Sequence, residues 1–157
     1  MKVTILGSGT SQGIPIITCN CEVCRSNDPK DKRLRTSILI ETEETTICID
    51  AGPDFRYQML RANVQKLDAI LITHEHKDHI GGLDDVRPFI YPGVPVFDMN
   101  EINRHSIKIN ELTIEPIKLK HYTLTSYAFR IGNFAYVTDL SHLSKSGYNK
   151  LKGVEYL

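Results

Sequence analysis

The chain has no excess of charge of either sign and no apolar run long enough to cross a bilayer, and these two absences remove whole classes of partner. Lysine plus arginine equals aspartate plus glutamate at 19 each, so no bulk basic field recruits nucleic acid or an anionic membrane surface. The apolar stretches fall well short of the roughly 20 residues that a spanning helix needs. No secretory signal opens the sequence, no repeat, low-complexity tract or linker interrupts it, and cysteine is scarce, at four. The expectation is a cytoplasmic protein without a membrane partner and with little basis for binding nucleic acid; its oligomeric state is not legible. At 157 residues, 41% of them hydrophobic, residues 1–157 are the size of a single domain that can bury a core. The locally basic run Lys30-Asp31-Lys32-Arg33-Leu34-Arg35 reads as a solvated face, or as arginines able to hold a phosphate beside a site.

What is present is concentrated. Thr73-His74-Glu75-His76-Lys77-Asp78-His79 follows the apolar run Ala69-Ile70-Leu71-Ile72 directly and holds three of the six histidines in the chain. Imidazole and carboxylate are the ligands that zinc, iron or manganese accept. If the chain is still extended at His74 and His76, the period-two alternation of a strand points both to one side, where they grip one ion. Asp78 and His79 are adjacent, project differently and suit a second ion, with Asp78 placed to open a helical turn. Two metals about 3.5–4 Å apart hold a bridging hydroxide and clamp phosphoryl or carbonyl oxygens.

The coarse architecture places this cluster at a strand end. Val3-Ile5 opens a strand, and Ser37-Leu39 and Thr46-Ile49 flank the polar turn Glu41 to Thr45. Asp54 can cap a helix carrying Phe55, Met59 and Leu60. The second half alternates in hairpins, with turns at Asn110-Glu111 and Gly132-Asn133. Cys48 alternates with Ile47 and Ile49 and reads as core.

Together with Ile5-Leu6-Gly7-Ser8-Gly9-Thr10-Ser11, Cys48-Ile49-Asp50-Ala51-Gly52-Pro53-Asp54-Phe55-Arg56 and Tyr136-Val137-Thr138-Asp139, the cluster resembles the metallo-β-lactamase superfamily. Within it the chain is most similar to the phosphodiesterases that open phosphoribosyl cyclic phosphate in phosphonate breakdown. The resemblance implies an α/β fold, an αββα sandwich of two mixed sheets with helices outside. It also implies that His74, His76 and His121 hold a first metal, that Asp78 and His79 hold a second, and that Asp139 bridges the two. Asp78 would help orient the hydroxide, and Asp50 would take a hydrogen bond from a metal-bound histidine. His121 fits its role because it closes the alternating run Ile117 to Lys120; the alternatives are an ordinary strand-end histidine there and a turn former at Asp139. His105 and His142 match no position and read as surface residues, although His142 could swing in as a substitute ligand.

The departures are as specific as the matches. The family supplies a further histidine to the second metal from a segment beyond Leu157, and it carries a further strand and helix where Pro88-Phe89-Ile90 here runs straight into Tyr91-Pro92-Gly93. The chain is therefore expected to lack an internal and a C-terminal segment, and its two catalytic metal positions to be unequal. Cys19-Asn20-Cys21-Glu22-Val23-Cys24 supplies three of the four ligands of a structural zinc. Cys19 and Cys21 lie too close for easy bridging geometry and no secretory signal points to an oxidising compartment, so zinc is the better reading and a loop of free thiols the alternative; the resembling phosphodiesterases add a C-terminal histidine to this cluster.

The function expected is a metal-dependent hydrolase, a phosphodiesterase on a small, cyclic phosphate ester, with zinc or manganese as the two active-site metals. An RNA 3′-end-processing nuclease of the same superfamily is the runner-up, against which stands the neutral charge. A metal-binding module with little catalysis is the third reading, and metal content without turnover would favour it.

Overall fold

The computed structural model describes residues 1–90, 93–98 and 105–157. Two sheets lie face to face. The first has the order β1 (Lys2–Gly7), β2 (Ser37–Glu41), β3 (Thr46–Ile49), β4 (Ala69–Leu71) and β5 (Val96–Phe97). It is antiparallel from β1 to β3 and parallel from β3 to β5. The second has the order β6 (Ile107–Ile109), β7 (Leu112–His121), β8 (Leu124–Ile131) and β9 (Phe134–Tyr136) and is antiparallel throughout. Two mixed sheets were expected; one is mixed and the other antiparallel, because tight hairpins leave no crossover through which parallel strands could join. Asn110 (φ 50°) and Gly132 (φ 61°) supply the positive φ at the two anticipated turns.

The period-two pattern explains how both faces of each sheet are used. Ile38, Ile40, Ile47, Ile49, Ala69 and Leu71 pack between the sheets against Ile114, Tyr127, Phe129 and Ile131. The intervening Leu39, Cys48 and Ile70 face outward with Leu6 and meet Phe55 and Met59. Ile117, Leu119 and Ala128 do the same on the outer face of the second sheet. Each buried Ile, Leu or Phe side chain contributes about 1.5–3 kcal/mol relative to an exposed one, so the three clusters are the main cohesion of the fold.

The helices are short: α1 (Glu22–Arg25), α2 (Phe55–Arg61), α3 (Lys77–Ile80), α4 (Arg87–Ile90) and α5 (Lys145–Lys150). Phe55 and Met59 bury the inner face of α2 as anticipated, whereas Leu60 is 62% exposed and Gln58 takes the third inward position. The carboxylate of Asp54 makes no capping hydrogen bond. It accepts instead from the Arg35 backbone N–H at 2.9 Å and the Arg35 guanidinium at 3.1 Å, since a charge-assisted pair outweighs a single cap. Outside the second sheet, Leu143 and Leu151 flank α5 and pack on Ile117, Leu119 and Ala128. The junction at Tyr91-Pro92, where a strand and helix of the family were expected to be missing, lies outside the described residues. Among the described residues no helix is long and apolar enough to cross a membrane.

The topology brings four chain segments to one edge. β3 and β4 run parallel, so Asp50 and Thr73 follow adjacent C-terminal ends, and the Asp50 N–H donates to the Leu71 carbonyl at 2.9 Å. β7 and β9 both run antiparallel to β8, so His121 and the approach to Asp139 emerge on the same side. The Tyr127 N–H on β8 donates to the Thr73 carbonyl at 3.0 Å and ties the two sheets together beneath this edge.

Candidate functional site

β4 ends at Leu71, three residues before His74, so the cluster follows the strand end as expected, while the alternation of the strand does not itself reach the two histidines. The chain bends at Thr73 and is extended again at His76 (φ −63°, ψ 145°), where α3 begins. His74 Nε2 lies 3.1 Å from His76 Nδ1. The ring of His121 stands 5.2 Å from that of His74 and 5.1 Å from that of His76. One ligand nitrogen from each of these three rings falls within 4.8 Å of the others. A second group shares His74 and adds His79 and Asp139 within the same distance. In it His79 Nε2 lies 3.0 Å from Asp139 Oδ2 and 3.3 Å from Asp78 Oδ2. Asp78 touches His79 but is not one of the mutually close ligands.

Beneath these rings sits a wholly buried carboxylate. Asp50 accepts from His79 Nδ1 at 2.7 Å, from the Thr73 N–H at 2.8 Å and from the Thr73 hydroxyl at 2.9 Å. The contact to His79 is the one expected of it. Burial pushes the Asp50 carboxyl up, opposed by hydrogen bonds from His79 and Thr73. Burial likewise resists charge on His79, but the hydrogen bonds to Asp139 and Asp50 outweigh it and raise that ring to about 10. Asp139 is held at about 2, first by its hydrogen bond from His79. His74 is pushed down to about 4 by burial and by the neighbouring charge on His79. His74, shared by both groups, is thus held neutral, and the ring of His79 keeps its proton between Asp139 and Asp50.

Two glycines let the backbone close around this edge. A Cβ on Gly52 would lie 1.9 Å from the Asp78 carbonyl oxygen, and one on Gly82 would lie 2.0 Å from that of Gly52. The Ala51 N–H donates to the His79 carbonyl and the Gly82 N–H to the Ala51 carbonyl, both at 2.8 Å. The segment that carries Asp50 is thereby laced onto α3.

The thiols form a separate group. Cys19, Cys21 and Cys24 place their sulfurs within 4.8 Å of one another, and none is in a disulfide. Cys21 precedes α1, and the Cys24 N–H points at its sulfur at 3.5 Å. That backbone contact, helped by the other two thiols, lowers the Cys21 thiol. Cys48 is wholly buried in the core, where burial raises its thiol to about 12. His105 and His142 are exposed; His142 engages Lys120 through its backbone alone, the Lys120 N–H donating to its carbonyl at 2.9 Å.

Sequence reasoning assigned no role to Thr73, although it stands directly before His74. It also missed the pairing of Arg35 with Asp54; a cation amid the basic run, facing an acid at the start of a helix, was the only signal.

A model described as "Beta-lactamase superfamily domain" matches residues 45–101. A solved structure titled "Crystal Structure of a New Diphosphatase from the PhnP Family" superposes with a TM-score of 0.92 at 36% identity, over 98% of this chain and 71% of that one. The chain belongs to the metallo-β-lactamase superfamily, in its PhnP family. The superfamily fold is shared at 18% identity by Zn(2+)-bound PqqB from Methylobacterium extorquens, with a TM-score of 0.70 over 99% of this chain and 71% of that one. A relative from Porphyromonas gingivalis named Octanoyltransferase is 37% identical over 188 aligned residues, all of this chain but only 38% of the relative. The chain thus spans less than two fifths of that protein, and the alignment is longer than the chain because the relative carries residues with no counterpart in it. The superfamily is divalent-metal dependent, and the imidazole and carboxylate groups described above are a donor set that could hold such ions.

Proposed function

We propose that the chain carries the active centre of a metal-dependent hydrolase, a phosphodiesterase acting on a small phosphate ester. The observation that carries this reading is the convergence of His74, His76, His79, His121 and Asp139 at one edge of the sandwich. Three imidazole nitrogens meet there, and a single proton can serve only one pair of them, whereas a divalent cation serves all three. The donor set therefore fits a metal. His74, His76 and His121 would hold one ion, and His79 and Asp139, with Asp78 beside them, would hold a second.

Bound divalent ions, zinc or manganese, would supply Lewis acidity toward a phosphoryl oxygen and lower the pKa of a water. Asp50 keeps the His79 ring in one orientation by accepting from Nδ1, which leaves Nε2 facing the site. Asp78, with a side chain 19% exposed, is accessible to a water and can orient it or take its proton. The similarity to a PhnP-family diphosphatase supports a phosphate substrate, and the zero net charge supports a small ester over RNA. The three thiols would hold a structural zinc apart from this chemistry.

The test is metal content and turnover of bis(4-nitrophenyl) phosphate, measured before and after dialysis against a chelator and after metal is restored. Turnover should disappear and return with the metal. Hydrolysis indifferent to chelation, or metal bound with no hydrolysis at any loading, would remove the reading.

A further inference from the structure

Thr73 stands where the two candidate metal groups and the two sheets meet. Its hydroxyl oxygen lies 3.0 Å from Asp50 Oδ1 and 2.9 Å from Oδ2, 3.0 Å from His74 Nδ1 and 3.3 Å from His79 Nδ1. Its carbonyl accepts from the Tyr127 N–H on β8 at 3.0 Å, and its side chain is wholly buried. No water-exposed alternative is open to any of these atoms, so their hydrogen bonds can be counted.

A hydroxyl has one proton and two lone pairs, and a carboxylate only accepts. The Thr73 O–H therefore donates to Asp50, which leaves its lone pairs as the acceptor that His74 Nδ1 faces. His74 must then carry its proton on Nδ1, and its Nε2 lone pair points to His76, 3.1 Å away. His79 in turn gives its Nδ1 proton to Asp50 at 2.7 Å. One buried carboxylate thus orders both rings, directly for His79 and through a single hydroxyl for His74.

We infer that Thr73 is the positioning residue of the three-histidine group: it relays the acceptor character of Asp50 to His74, fixes the Nδ1–H tautomer of that ring and turns Nε2 toward a divalent cation. The inference rests on the metal-centre reading only for what it says about the cation. The tautomer follows from the hydrogen bonds alone. Threonine suits the place because it is β-branched and stiff about χ1, so packing holds the hydroxyl where both partners need it. Valine fills the same space and offers no acceptor; serine keeps the hydroxyl and loses the methyl group.

The experiment has two parts. In the metal-free wild-type protein, long-range ¹H–¹⁵N correlation of the histidine rings should show His74 protonated on Nδ1. A proton on Nε2 there overturns the inference without any variant. Zinc affinity is then measured by competition with a chromogenic chelator for wild type, Thr73→Val and Thr73→Ser. Thr73→Val should lose about 10–100-fold in affinity, the range for residues that orient ligands, with the His74 Nδ1–H signature gone. Thr73→Ser should recover both. Wild-type affinity in Thr73→Val with the ring unchanged refutes the relay, as does an equal loss in Thr73→Ser. Absence of zinc binding in the wild type counts against the proposed function, while the ring signature still decides the role of Thr73.

Discussion

The histidine and aspartate centre and the thiol loop both gather side chains able to ligate a metal within 4.8 Å, yet they are assembled in opposite ways. The first draws on the segment after β4, the end of β7 and the stretch beyond β9, and rests on a buried carboxylate supplied after β3. The second lies within six consecutive residues, its main support a helix of four residues, and Cys21 is exposed. A centre assembled from distant segments loses its geometry when the fold shifts by an ångström. A centre within one turn of chain depends on the fold far less and on its ion far more, because clustered thiolates repel one another without a cation.

That contrast can be broken most forcefully at a ligand. His76→Ala removes one of the three imidazoles, and the affinity of the first group for zinc should fall by more than the roughly 100-fold reached when only an orienting partner is lost. Equilibrium dialysis checks it, and phosphodiester turnover should fall alongside. Any zinc held by the thiols should be retained in this variant; joint loss from both centres would mean that they are one cooperative unit.

Gly52→Ala probes the long-range assembly without touching a ligand. The new methyl group would press on the Asp78 carbonyl, and overpacking of this kind costs about 1–3 kcal/mol. Metal affinity at the histidine and aspartate centre should drop with it, and the thiol centre should be indifferent.

Zinc saturation should raise the melting temperature through mass action. At 100 times the dissociation constant the gain is about 2.7 kcal/mol, roughly 5–10 °C for a chain of this size. Most of that shift should survive in Cys21→Ser if the distant centre is the one coupled to folding. A shift abolished by Cys21→Ser would reverse the comparison.

The metal-free protein offers a smaller and sharper test in its pH dependence. His79 is raised to about 10, so its contribution to stability is complete below about 6.5 and is lost as pH climbs through 10. Asp139 is lowered to about 2, so its contribution is complete above about 3.8 and is lost as pH falls through 2. His74 is lowered to about 4, so stability is also lost as pH falls from about 6.5 toward 4. Thermal melts of the chelated protein should therefore peak near about pH 6.5, and Asp139→Asn should flatten the His79 and Asp139 limbs. An unchanged profile would show that the two groups are not paired without metal.

The sequence by itself determined the chemistry of the cluster and the outline of the sandwich. Imidazole and carboxylate within six residues after an apolar strand are a matter of local composition, and the alternation of Ile38, Leu39 and Ile40 or of Ile47, Cys48 and Ile49 sorts side chains to two faces whatever lies beyond. The three thiols were legible for the same reason. His121 and Asp139 were open from the residues alone, and only a family resemblance singled them out, because a lone histidine or aspartate at a strand end has no local signature. Tertiary structure alone decided that these two join His74, that Asp78 approaches them only through His79, and that Asp54 serves Arg35 rather than the helix it precedes. It also decided the place of Thr73, whose hydroxyl acquires direction only when β3 sets Asp50 beside it. Hydrogen-bond partners a few ångströms apart in space and tens of residues apart in sequence depend on strand order and register, and those are properties of the packed sheets rather than of any short stretch of chain.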